Sequence, residues 1–140
     1  MPGYWLLKTE PDDYSYDDLA EEGQAVWDGV RNPVAQKHMR AVAPGDKAFI
    51  YHTGKERAIV GIARLESPAY PDPTGNTELV VFEVSPLERL RRPVTLAEIK
   101  ASQEFGDWEL VRIPRLSVMP VPKRTWSAVV RMSRSPQPRD

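Results

Sequence analysis

The sequence predicts an α+β fold, a small, partly closed, mixed β-barrel decorated by helices, with about five to six strands. Three observations carry that reading. Apolar runs rich in β-branched and aromatic residues, bounded by turn residues, dominate the middle of the chain. Helix-cap signals stand at Ser15, Asn32 and Thr95. No regular strand–helix alternation runs through the 140 residues, which argues against a parallel, doubly wound sheet. The length suits one domain with a core of its own, and no internal repeat or second domain is visible.

Taken in order, Tyr4 to Lys8 reads as a first strand, closed by Thr9-Glu10-Pro11. Ser15 caps a short helix with Asp17 and Asp18 in its first turn, and Gly23 ends it. The segment Trp27-Asp28-Gly29-Val30-Arg31-Asn32 reads as a loop. Asn32-Pro33 then opens a helix that stops before the turn Pro44-Gly45-Asp46. Lys47 to Thr53 and Ala58 to Glu66 form a hairpin around Gly54-Lys55-Glu56-Arg57, and Leu79 to Val84 adds a third strand. Thr95 and Glu98 make a capping box for another helix. Leu116 to Val121 is a strand that Pro120 confines to a sheet edge. Thr125 to Met132 is the last helix, and residues 133–140 have the Pro/Ser/Arg composition of a disordered tail beyond a domain spanning 1–132.

Composition removes several function classes. The chain has no Cys, hence no disulfide, thiolate nucleophile or Cys-ligated metal. It begins without the features of a signal peptide, and its apolar runs are too short to span a bilayer, so a cytoplasmic protein is expected. The signatures HExxH, GxxxxGK, GxGxxG and GxSxG are all missing, so no catalytic residue, metal or cofactor is assigned. The net charge of −1 argues against a binder that relies on its overall field. The distribution is uneven, however. Tyr14 to Glu22 is acidic, whereas every charged residue from Arg112 to Arg139 is basic. A local basic surface holds phosphates while a pocket elsewhere supplies selectivity.

The Trp27–Asn32 segment is the most informative. It sets an aromatic, a flexible turn, a cation and a side-chain amide within six positions, the means to stack on a flat polar ligand and to bond its edge. A nucleobase fits that description. The competing reading makes Trp27 core and Asn32 only a helix cap. In Ile50-Tyr51-His52-Thr53 the alternation of a strand puts Tyr51 and Thr53 on one side and Ile50 and His52 on the other. Either pair lines a cavity or packs inward. Trp108, outside any clear period, is a pocket lid or wall, or else plugs a loop onto the core.

Trp5-Leu6-Leu7-Lys8-Thr9-Glu10-Pro11, Trp27-Asp28-Gly29-Val30-Arg31-Asn32, Gly45-Asp46 with Tyr51-His52-Thr53, Pro71-Asp72-Pro73, and Arg115-Leu116-Ser117-Val118-Met119-Pro120-Val121 together resemble the EVE domain, in that order and from about Tyr4 to Met132. The resemblance implies a PUA-like barrel similar to the YTH domains, which read methylated adenine in RNA. It implies a non-enzymatic reader of a modified base in DNA or RNA, with Trp27 as a cage wall and Lys8-Thr9 at the end of the first strand. The base pocket expected from residues and resemblance together comprises Lys8, Thr9, Trp27, Asp28, Gly29, Val30, Asn32, Tyr51, His52 and Trp108. Arg31, Arg115, Lys123 and Arg124 are expected to hold phosphates. The expected partner is nucleic acid, with no membrane and no cofactor, and the expected state is a monomer. The rival readings are a small-ligand or protein-interaction module, and a small enzyme acting on nucleotides.

Overall fold

Leu6 and Leu7 in one segment, and Phe49 and Ile50 in another, are almost wholly buried, and these consecutive apolar pairs mark strands covered on both faces. In the computed structural model, which describes residues 3–75 and 78–136, they belong to β1 (Tyr4–Thr9) and β3 (Lys47–His52), at the heart of a mixed sheet. The sheet has seven strands. Six follow the order β2-β6-β4-β3-β1-β7, with β2 at Ala25–Trp27, β4 at Ala58–Leu65, β6 at Val80–Thr95 and β7 at Val118–Pro120. The two-residue β5 (Tyr70–Pro71) pairs with β6 off this path. β1 and β3 run parallel, from Tyr4 opposite Lys47 to Thr9 opposite His52, and the other pairings are antiparallel. The sheet curls into a half-barrel with helices against it, the mixed α+β architecture expected.

Local chemistry sets the helix starts. Ser15 accepts from the Asp18 N–H and Asp18 accepts in turn from the Ser15 amide, so α1 (Tyr16–Glu22) opens on a full capping box. Asn32 accepts from both Val34 and Ala35 at the start of α2 (Pro33–Met39). Thr95 and Glu98 form a second capping box for α3 (Leu96–Ala101). A short α4 (Glu109–Arg112) and α5 (Lys123–Ser133) complete the set. Trp126 of α5 stacks on Phe49 with ring centroids 3.8 Å apart, and Tyr4 flanks the same indole at 4.6 Å. These pairs fix α5 against β1 and β3.

Two close fits hold the other side. Gly61 in β4 lies under the Tyr16 ring: a Cβ there would sit 2.5 Å from a ring carbon. The missing side chain lets α1 approach until the Tyr16 hydroxyl donates to the Ile62 carbonyl at 2.9 Å. Asp46, almost fully buried, accepts from the Gly3 and Ala43 amides and from Trp5 Nε1 at 2.7 to 2.9 Å. That set of donors explains a carboxylate inside the fold.

Four expectations need correction. Ala25–Trp27 is a strand paired to β6, so Trp27 ends a strand where a loop was expected. The third central strand runs sixteen residues, Val80–Thr95, beyond the expected end at Val84, through Pro86 and Pro93. It keeps its pairing by shifting register between Ile59 and Gly61 and between Ile62 and Ala63 of β4. The helix α4 was not expected. The tail was expected from Ser133, yet Ser133 is the buried last residue of α5, and the Ser135 carbonyl accepts from Arg92. Residues 137–140, with Arg139, lie outside the described residues, as do Met1-Pro2 and positions 76–77. Among the described residues no helix is long and apolar enough to cross a membrane.

Candidate functional site

The ends of β1 and β2 lie beside each other, and the turn after β1, the flanks of α1 and the loop after β2 close around them. The space between is a cavity of about 760 Å³. Trp27 forms its wall, 7% exposed overall and meeting the Tyr14 ring edge-on at 6.4 Å and 78°. Lys8 and Thr9 come from β1, Glu10 and Asp13 from the turn after it, Glu22 and Gln24 from the end of α1 and just beyond, and Asp28, Gly29, Val30 and Arg31 from the loop. The volume lies in the range of small-molecule sites.

The loop is shaped by two devices. Gly29 has φ +75°, a left-handed turn that favours glycine, which lets the chain reverse just beyond the indole. Gln36, buried in α2, donates to the Val30 and Val80 carbonyls and accepts from the Val80 amide at 2.8 Å. One side-chain amide thereby clasps the loop, α2 and β6. Thr9 is fixed as well: its hydroxyl donates to the Tyr14 carbonyl at 2.6 Å.

The electrostatics favour a guest with donors. Four carboxylates (Glu10, Asp13, Glu22 and Asp28) line the cavity against two cations, Lys8 and Arg31. Tyr14 Oη is buried without a partner in bonding geometry. Burial, followed by the nearby Glu22 and Asp18 carboxylates, pushes this phenol from 10.0 up to about 12, so it remains a neutral donor.

Of the expected pocket residues, the fold brings Lys8, Thr9, Trp27, Asp28, Gly29 and Val30 to this one cavity. Four others go elsewhere. Asn32 uses its side-chain oxygen to cap α2. His52 is buried with Nε2 accepting from the Tyr16 amide at 3.0 Å, so Nδ1 carries the proton and donates to Glu56 at 2.7 Å. Tyr51 faces a second recess, described below, on the same side as Thr53. Trp108 is buried beside Phe105, with centroids 6.0 Å apart, and its carbonyl starts α4; it plugs a loop onto the core. Among the expected phosphate ligands, Arg31 lies at the cavity, while Arg115, Lys123 and Arg124 are exposed and do not line it. Sequence reasoning missed Tyr14, Glu10, Glu22 and Gln36. The fold, and not sequence spacing, brings them to Trp27 and its loop.

The second recess, about 330 Å³, opens on the other side of Lys8. It lies between the β3–β4 hairpin and the helices α3 and α4, and it is lined by Tyr51, Thr53, Gly54, Arg57, Leu96, Lys100, Leu110, Val111 and Pro114 as well as Lys8.

Comparison with known proteins places the chain in a family. The sequence profile of the EVE domain matches residues 3–132. Thymocyte nuclear protein 1 of Homo sapiens is 27% identical over 165 residues, covering 93% of this chain and 73% of the human protein. An NMR structure of a Rhodopseudomonas palustris protein superposes with TM-score 0.89 at 41% identity, covering 94% of this chain and 92% of that one. The crystal structure of human THYN1 in complex with DNA containing 5-methylcytosine superposes with TM-score 0.89 at 26% identity, covering 97% and 99% of the two chains.

Proposed function

Because the chain belongs to the EVE domain family and keeps an indole at the wall of an acidic cavity, we propose that it is a reader of a modified nucleobase, a non-catalytic module that binds DNA or RNA. The observation that carries this reading is Trp27. It is mostly buried, yet it borders a cavity of about 760 Å³ and is not sealed by aliphatic neighbours on every side. The human relative with DNA containing 5-methylcytosine supports the same class of partner.

The energetics of such a site follow from its chemistry. Taking a base out of its stack costs a few kcal/mol, least where it is already single-stranded. Stacking against an aromatic returns about 1–3 kcal/mol. Carboxylates accept from an exocyclic amine, as on cytosine N4, so Glu10, Asp13, Glu22 and Asp28 favour amine-bearing bases over those that show only carbonyls. An added methyl filling apolar space beside Val30 contributes close to 1 kcal/mol, or about fivefold. The phosphates of the same strand are repelled by this acidic lining and must lie outside it.

The test is a titration of paired oligonucleotides, with and without 5-methylcytosine, against the wild type and Trp27→Leu. Leucine keeps apolar bulk in the wall and removes the stacking plane. The expected result is a loss of about tenfold or more in affinity for the modified strand and a loss of the preference between strands. Equal binding of the modified strand by both proteins would remove the stacking role.

A further inference from the structure

From the recess beyond Lys8 we infer a second binding site, one that holds the phosphodiester group next to the base in the Trp27 cavity, with Lys8, Arg57 and Lys100 as its cations. The inference rests on the base-reading role proposed above and adds where the strand's backbone lies.

The two recesses differ in charge. The Trp27 cavity carries four carboxylates, whereas the recess beyond Lys8 is lined by the cations Lys8, Arg57 and Lys100, with one carboxylate, Glu10, standing behind the lining and accepting from the Thr53 hydroxyl at 3.1 Å. Arg57 and Lys100 form no ion pair among the described residues. Arg57 is also close enough to Tyr51 for its charge to favour the phenolate, against the larger opposing effect of burial. Three cations against the single Glu10 carboxylate behind the lining leave the recess net positive, a field that favours an anion.

Lys8 connects the two. It lines both recesses, and its Nζ lies 5.5 Å from the Tyr51 ring centroid and donates to the Pro114 carbonyl at 2.8 Å. Burial holds this ammonium below its ordinary value, so an anion beside it stabilises the charged form. A strand whose base occupies the cavity reaches this recess by crossing Lys8, and the nearest backbone group it carries is a phosphate.

The recess is also rigid enough to be a site. The Leu96 amide, at the start of α3, donates to the Arg57 carbonyl at 2.8 Å, and Ala58 pairs with Thr95 across β4 and β6. These bonds tie the hairpin to the helix that carries Lys100. Arg57 itself sits at φ +45°, fixed by its Nε bond to the Gly54 carbonyl. The Thr53 amide donates to the Thr9 carbonyl, which joins the hairpin to the end of β1.

The test is a double variant, Arg57→Asn with Lys100→Gln, chosen because asparagine tolerates a left-handed φ and glutamine keeps the helix. Oligonucleotides with and without 5-methylcytosine are titrated at several salt concentrations, and a melting curve checks the fold. Affinity for both strands is expected to fall together by roughly tenfold, with the preference between strands unchanged. The salt slope should become shallower by about 0.7 for each phosphate of a single strand that is no longer neutralised. A double variant with the wild-type affinity and slope overturns the phosphate site while leaving the base reading intact. A folded wild type that binds neither strand overturns the base reading and the phosphate site with it.

Discussion

The two recesses beside Lys8 are built from neighbouring backbone and yet have opposite character. The Trp27 cavity is large, acidic and walled by a loop and the flanks of α1, whereas the Lys8–Arg57–Lys100 recess is smaller, basic and walled by a hairpin bonded to a helix. The contrast divides recognition into two tasks that one strand of nucleic acid presents together. A base offers donors and a π-face without a net charge, and suits carboxylates and an indole. A phosphodiester offers only charge and acceptors, and suits cations. Placing both full sets of groups in one pocket would neutralise each with the other, and the fold instead gives each recess a surplus of one sign, with Lys8 shared between them.

This division can be broken from either side. The largest effect is expected from Gly61→Ala. The new Cβ meets the Tyr16 ring, displaces α1 and weakens the Tyr16–Ile62 hydrogen bond, at a cost of roughly 1–3 kcal/mol in chemical denaturation. Because α1 and its flanks wall only the acidic cavity, base preference should fall while the salt slope stays as in the wild type. A changed slope would mean that the two recesses share more support than β1.

A smaller effect is expected on the basic side at acid pH. Burial raises the Glu98 carboxyl, but the Arg92 guanidinium at 2.8 and 2.9 Å and the Thr95 amide outweigh it, so the group titrates below its usual 4.5 in the folded protein. A depressed carboxylate contributes stability above about 4.5 and loses it as pH falls through the lower folded value. Glu98→Gln should therefore cost about 1 kcal/mol at neutral pH, the value of a helix cap, and flatten the acid limb of a melting-temperature profile.

The smallest effect at neutral pH belongs to Tyr14→Phe, under about 0.5 kcal/mol, since the hydroxyl removed makes no hydrogen bond of good geometry and has the Glu22 carboxylate nearby. Its signature lies in alkali. The raised phenol keeps its full contribution below pH 10.0 and loses it as pH climbs toward about 12, so the variant should resist alkaline unfolding better than the wild type. Phenolate absorbance during the same titration identifies the group. Identical alkaline limbs for the two proteins would show that Tyr14 is not the group that titrates there.

What the sequence made legible follows the range of the interactions involved. Ser15 with Asp18, Asn32 with Pro33 and Thr95 with Glu98 act within four residues, so their caps were readable and are present. Pro120 fits its expected place on the edge strand β7. The full extent of β6 was hidden because Pro86, Pro93 and the arginines between them look like a loop, and only pairing along β4 makes a strand of them. Trp27 was legible as a candidate, but its surroundings were not. Tyr14 and Glu22 reach it through the folding of α1 against β4. Arg57 and Lys100 meet only because β4 and β6 pair, so no local spacing announces the basic recess.

The imidazole of His52 carries a last consequence. One of its nitrogens is occupied by an incoming main-chain amide and the other by an outgoing proton, so the ring has neither a lone pair nor a hydrogen to lend to a passing substrate. The side chain most suited to shuttling protons near neutrality works here as a rivet between the first helix and the third strand. Any chemistry performed at this surface would have to manage without it.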